Sequence, residues 1–307
     1  MIDSTPQAKS AATAVTRSRV LDYMELMKPE LTGLSVLTVL CGYYLGSSEF
    51  DFARFAWTAV STFALGSGLG ALNQFIEMRY DQLMKRTERR PLPSLRVPRQ
   101  RALVFGSMLV LVGLGLLAAF GGPLATFLGI LTFVSYVFLY TPLKRRSWLA
   151  TLIGGVPGAL PPLIGWAAAS GTLGVGAWAL FGVLYFWQMP HFLALAWMYK
   201  KDYARAGFRA LPVSDDSGRR TGMVIVVNLA LLIAASAAAV AVGLGNLLSL
   251  VGSLVLGCVF AGSGMLFLVS ALDGSNPNRT NRYARWTFLA SLVYLPFLMT
   301  LLIAAKS

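Results

Sequence analysis

Nine almost wholly apolar stretches of roughly 17 to 26 residues run through this chain: 31–48, 55–77, 102–120, 124–140, 149–169, 173–198, 221–243, 248–271 and 284–304. About 20 such residues span a bilayer as a helix. In lipid the backbone must satisfy its own hydrogen bonds, which restricts spanning segments to helices and closed barrels, and these lengths are helical. The expected fold is therefore an all-α integral membrane protein with nine transmembrane helices. The 307 residues are 56% hydrophobic and 13% charged, against about 25% charged in an ordinary soluble domain. That excludes a water-soluble enzyme and a disordered chain. Cys41 and Cys258 lie far apart in apolar surroundings and match neither a disulfide framework nor a zinc spacing.

Charge gives the orientation. With the N-terminus cytoplasmic, one side carries twenty-four Lys and Arg residues, and the other carries Arg54 and Lys306 alone. Positive charge marks the cytoplasmic side, so the C-terminus is expected outside. The same asymmetry accounts for the net charge of +13 without nucleic acid as a partner. Residues 1–20 are rich in Ala, Ser and Thr, lack the apolar core of a cleavable signal peptide, and are expected to form a disordered cytoplasmic arm. Residues 21–307 are expected to form one domain, with no internal repeat.

Topology does not explain the polar groups at the end of the second span. Asn73, Glu77 and Asp81 stand four residues apart. Each step of four drifts by only about 40°, so the three share one helix face over about 12 Å. Such a ladder of oxygens suits a hard cation such as Mg2+. The alternative is a helix end whose acids pair with Arg79, Lys85 and Arg86. Three basic clusters sit on the same side: Lys85 to Arg90, Lys144-Arg145-Arg146 and Lys200-Lys201 beside Asp202. Carboxylates, Mg2+ and surrounding cations together can neutralise a departing diphosphate. The lone histidine, His191, lies inside the sixth apolar stretch. At that depth it is open to reading as an iron ligand, a base or a structural hydrogen bond.

Several strings resemble the UbiA superfamily of intramembrane prenyltransferases, and within it the branch that farnesylates haem. They begin with Asn73-x3-Glu77-x3-Asp81-x2-Met84-x-Arg86-Thr87 and Arg90-Pro91-Leu92-Pro93. They continue with Tyr140-Thr141-x-Leu143-Lys144-Arg145, and with the run from Gly154 to Trp166. The last are Pro190-His191-Phe192 and Asp202-Tyr203-x2-Ala206-Gly207-x3-Leu211-Pro212-Val213. The similarity covers the chain from about Lys28-Pro29 onward.

The resemblance implies nine helices around a central cavity open laterally to lipid. A bacterial inner membrane is the expected location, since Arg17 and Arg19 alone do not make an Arg- and Ser-rich mitochondrial presequence, and the charge asymmetry puts the active site toward the cytoplasm. The resemblance also implies transfer of the farnesyl group of farnesyl diphosphate to a vinyl group of haem B, giving haem O and diphosphate. Haem A synthase or a terminal oxidase assembly would be the downstream partner. Asn73, Glu77 and Asp81 would hold Mg2+, and with Lys144 form the catalytic set. Arg86, Arg90, Arg145, Asp202, Tyr203 and His191 would contact substrate. Two departures stand out. Glu77 occupies a position where many relatives carry Asp. The second acidic motif retains one carboxylate, Asp202, with Lys200 or Lys201 as candidate replacements for the missing positive charge. Tyr136, Tyr140, Trp166 and Trp187 are candidate cation-stabilising aromatics by position. A prenyltransferase for a quinone precursor or another aromatic acceptor is the alternative enzyme, and a transporter or scaffold is the alternative class.

Overall fold

The structure, a computed structural model, describes residues 19–306. Most of the expected N-terminal arm, residues 1–18, lies outside the described residues. Its last two residues, Arg19 and Val20, open a helix. Fourteen helical elements follow one another, and no strand occurs among the described residues. They are α1 Arg19–Met27, α2 Pro29–Gly46, α3 Phe52–Asp81, α4 Arg99–Leu116, α5 Pro123–Val134, α6 Thr141–Leu143, α7 Ala150–Ala159 and α8 Pro161–Ser170. After these come α9 Val175–Met198, α10 Lys200–Arg205, α11 Leu211–Ser214, α12 Arg219–Ala239, α13 Leu247–Asp273 and α14 Pro277–Lys306.

Eight helical spans are long and apolar enough to cross a bilayer. Three of the elements are extended by wider π-type turns, at Leu117–Gly121, Ser135–Tyr140 and Val240–Leu244. The first expected span, α2, has 18 residues and carries Pro29 and Glu30 in its first turn, which keeps it outside the eight. The apolar side chains of several spans point outward: Val104, Met108 and Leu111 of α4 and Val255 and Val259 of α13 are more than half exposed. Such a skin is unstable in water and matched to lipid. The chain is a multi-pass membrane protein.

Small residues bring the helices together, as expected where lipid removes the hydrophobic drive between them. Gly165 of α8 lies against the backbone carbonyl of Val39 in α2, and Gly42 of α2 lies against Pro162 of α8. No side chain fits at either contact. The expected span at 149–169 is broken at Leu160, between α7 and α8. Carbonyls in the broken span are met by side chains of α9: Gln188 Nε2 donates to Gly155 O at 2.8 Å and Tyr185 OH to Leu152 O at 3.2 Å.

Two local features aim residues at the end of α3. Lys28 takes a left-handed backbone conformation (φ 50°, ψ 57°) between α1 and α2. This conformation is uncommon for a side-chain-bearing residue, and the following proline also disfavours right-handed helix there. The reversal turns the lysine toward α3. Beyond α3, the segment 82–97 folds into successive tight turns. Thr87 Oγ1 donates to the carbonyl of Asp81 at 2.8 Å, and Met84, Thr87, Leu92 and Val97 are buried. The chain thereby returns Arg90 to the helix it has just left. Arg96 fastens this segment to α1 through Asp22 and Glu25.

Candidate active site

Asn73, Glu77 and Asp81 share a face of α3, and all three are buried, with 2%, 5% and 1% of their surface exposed. Each rung of this ladder receives one cation, and the three cations come from three different parts of the chain. Lys28 Nζ donates to Asn73 Oδ1 at 2.9 Å. Lys144 Nζ donates to Glu77 Oε1 at 2.8 Å. Arg90 donates to Asp81 Oδ2 at 2.8 Å. Asn73 Nδ2 also reaches Thr141 Oγ1 at 3.4 Å. The acids do not pair with Arg79, Lys85 or Arg86, the partners of the purely structural alternative.

The electrostatics favour an anion. Two buried carboxylates face the guanidinium of Arg90 and the amino groups of Lys144 and Lys28. Burial, followed by the like charge of Arg90, lowers the Lys28 ammonium to about 7 against the pull of Glu77. Burial also works against the charge of Lys144. Glu77 outweighs it and holds that ammonium well above the ordinary lysine range. The Lys144 ammonium lies 4.5 Å from the centre of the Tyr140 ring, and Tyr136 packs on Tyr140. These two aromatics are therefore at the site. Trp166 is in the core beside Gly46 and Gly176, and Trp187 lies with His191.

The remaining expected residues form an outer layer. Arg145 donates to Tyr80 OH at 2.6 Å and lies over its ring. Arg86 lies over Tyr199 and Tyr203 and reaches the Tyr203 hydroxyl at 3.4 Å. Tyr80 and Tyr203 meet on Phe208, which the loop hydrogen bond from Arg209 N to Lys144 O holds beside Lys144. Asp202 pairs with Arg205 at 3.2 Å, not with the ladder. Lys200 reaches Asp215 O and Asp216. The extra positive charge at the ladder is Lys28. Lys28 is not among the site residues expected from the sequence. Its only signal was a lysine directly before the proline that opens an apolar helix. His191 is not at the ladder. It contacts Ser291 of α14.

Among the described residues no three His, Cys, Asp or Glu side chains converge on one point, so the protein alone does not make a full metal cage. The donors still fit a hard cation shared with a ligand. They are all oxygens, and Asp81 Oδ1 is buried without a hydrogen-bond partner, an arrangement that is costly unless something else meets the atom. Mg2+ typically takes one or two carboxylates and completes its shell from substrate phosphate and water.

A model of the UbiA prenyltransferase family matches residues 35–302. The chain is 40% identical over 293 residues to a protoheme IX farnesyltransferase of Opitutus terrae, covering 95% of this chain and 97% of that one. It is 41% identical over 292 residues to a protoheme IX farnesyltransferase of Solibacter usitatus, covering 92% and 97%. Its fold is similar to that of a UbiA homolog from Archaeoglobus fulgidus bound to GPP and Mg2+, with a TM-score of 0.63 at 13% identity, covering 92% of this chain and 99% of the other.

Proposed function

The chain belongs to the UbiA prenyltransferase family, and on that premise we propose that it transfers the farnesyl group of farnesyl diphosphate to a vinyl group of haem B, giving haem O and diphosphate. The observation that carries the diphosphate half is the buried ladder with its three cations. The haem half rests on the near full-length similarity to relatives that carry that activity's name. The catalytic domain is residues 21–307. α2 is its ninth span, and the ladder end faces the cytoplasm. The protein sits in a bacterial inner membrane and supplies a haem A synthase or a terminal oxidase assembly.

Asn73, Glu77 and Asp81 hold Mg2+ in this reading, with Asp81 Oδ1 as the free donor. The bound ion supplies fixed positive charge against the phosphate oxygens. The residues of the chain do the rest by exchanging partners. Lys28, Lys144 and Arg90 turn from the ladder oxygens to the diphosphate, so no buried charge is left uncompensated. Arg86 and Arg145 complete the cationic shell from the outer layer. As the allylic carbon–oxygen bond breaks, the electron pair leaves with diphosphate, and these preplaced donors stabilise that charge. Tyr136 and Tyr140 offer aromatic faces to the allylic cation. The vinyl carbon of haem B attacks the cation, and water adds to the resulting carbocation and loses a proton, leaving the hydroxyl of haem O.

The test is a product assay on the full chain in lipid nanodiscs with farnesyl diphosphate, Mg2+ and haem B, read by mass spectrometry. A haem heavier by a hydroxyfarnesyl unit, absent after chelation of Mg2+ and diminished with Asp81→Asn, supports the reading. Unchanged haem B, together with prenylation of a quinone precursor, would move the chain to an aromatic acceptor.

A further inference from the structure

Two non-glycine residues among those described have a left-handed backbone, Lys28 at φ 50° and Leu95 at φ 59°. Side chains disfavour that conformation, and it persists where surrounding contacts hold it. Both residues belong to segments that a single side chain, Arg96, ties together. Leu95 turns the chain at the end of the 82–97 segment, and Arg96 N donates to Pro91 O at 2.9 Å. The Arg96 guanidinium lies between its own loop and α1 and makes four hydrogen bonds. Two stay in the loop: Nε donates to Ser94 Oγ at 2.9 Å and Nη2 to Arg89 O at 2.7 Å. Two cross to α1: Nη1 donates to Asp22, and Nη2 to Glu25 Oε2 at 3.2 Å.

Each half of this clamp leads to a group that meets the ladder. On the loop side, Arg89 directly precedes Arg90, and Ser94 Oγ donates onward to Arg90 O at 2.6 Å. The backbone from which Arg90 reaches Asp81 is thus held at two successive carbonyls. On the helix side, Glu25 O accepts from Lys28 N at 3.3 Å, and Lys28 directly follows α1. Lys28 and Arg90 converge on one helix face from segments that share no regular secondary structure, and their like charges oppose the approach. Arg96 supplies the missing connection. It is not a further phosphate ligand: two carboxylates already occupy its guanidinium, and Asp22 is only 5% exposed. Turning it toward a ligand would strand them. Lys144 stands outside the clamp. It arrives from the turn after α6, where its carbonyl accepts from Arg209 N at 2.8 Å.

We propose that Arg96 is the positioning residue of the ladder site, holding Lys28 and Arg90 against Asn73 and Asp81 as one unit, while Lys144 is placed separately. This inference rests on the ladder as a diphosphate site. It adds which side chain makes two of the site's basic groups act together without itself touching the ligand.

The test is a calorimetric titration of inorganic diphosphate with Mg2+ into the full chain in nanodiscs. Folding is checked by thermal unfolding, and haem O formation is followed in the same preparations. Arg96→Gln weakens diphosphate binding by up to about 100-fold, as two charge-assisted contacts are lost together. Lys28→Met costs about tenfold in the wild-type background and less than about twofold in Arg96→Gln, because coupled residues are not additive. Lys144→Met costs the same factor in both backgrounds, which a general loss of stability would not produce. The Asp22→Asn, Glu25→Gln double variant releases α1 alone. It costs about tenfold, and Lys28→Met adds nothing to it. That variant decides the matter if Arg96→Gln does not fold. An equal cost of Lys28→Met with and without Arg96 would overturn the inference and leave Arg96 a contributor to stability only. Wild-type affinity in the Asp22, Glu25 double variant would overturn it too. If wild type still binds diphosphate and forms haem O, the functional reading survives that failure. If wild type binds no diphosphate with Mg2+, both fall.

Discussion

Lys144 Nζ lies 2.8 Å from Glu77 Oε1 across 67 residues of chain, joining the turn after α6 to the last turns of α3. The pair holds opposite charges where neither is well solvated, with 21% and 7% of the side chains exposed. Lys144→Met is expected to lower kcat by about 10²–10³-fold, the cost of losing one preplaced donor to a developing anion. Steady-state turnover in nanodiscs measures this. Glu77→Gln is expected to lower stability by about 2 kcal/mol, read by thermal unfolding. A Lys144→Met enzyme with near-normal kcat would remove that residue from the site.

Asp81 is the rung with an unmet oxygen. Chelation of divalent cations is expected to stop turnover, and Mg2+ to restore it. With Asp81→Asn, the Mg2+ concentration for half-maximal activity should rise by about tenfold or more, equivalent to ~1.4 kcal/mol of lost binding. Activity indifferent to chelator in the wild-type protein would dismiss the metal altogether.

Lys28 enters the site through its left-handed backbone conformation and its 2.9 Å contact with Asn73. Lys28→Met is expected to raise KM for farnesyl diphosphate by about tenfold, one charge-assisted contact, and to weaken inhibition by inorganic diphosphate in parallel. Inhibition constants identical to wild type would leave Lys28 a purely structural residue.

The α2–α8 contact tests the packing. Gly165→Val places a side chain on the carbonyl of Val39 and forces the helices apart. Loss of monodisperse protein is the expected result by size-exclusion chromatography. Gly33→Ala, where a Cβ meets nothing within 4 Å, is expected to be neutral or to stabilise by up to about 1 kcal/mol. Equal behaviour of the two variants would show that close approach of these helices is not required.

The ladder was legible in the sequence because helical periodicity is local. Once residues 55–77 read as a helix, the four-residue spacing placed Asn73, Glu77 and Asp81 on one face whatever surrounded them. Lys144 and Arg90 were legible as cations near that end, but not as the partners of particular rungs. Arg79, Lys85 and Arg86 were equally near in sequence, and Arg79 and Lys85 are exposed in the structure. The choice of Arg90 depends on the turns of 82–97, which Thr87 sets by bonding to Asp81 O. Asp202 and Lys200 stood close to an expected acidic motif, yet they spend their hydrogen bonds on Arg205, Asp215 and Asp216.

Hydropathy and charge by themselves determined the solvent of this protein. Apolar segments of bilayer length and a one-sided basic distribution leave few other ways to fold, because lipid admits only backbone that satisfies itself. Spacing along one helix determined the oxygen ladder for the same local reason. The tertiary structure alone decided which cation meets which oxygen, that Lys28 joins them, and that His191 turns toward Ser291 and away from the ladder. Those choices depend on loop reversals and on the close packing of helices far apart in sequence. Such contacts are fixed by shape and burial in three dimensions, and no periodicity along the chain encodes them.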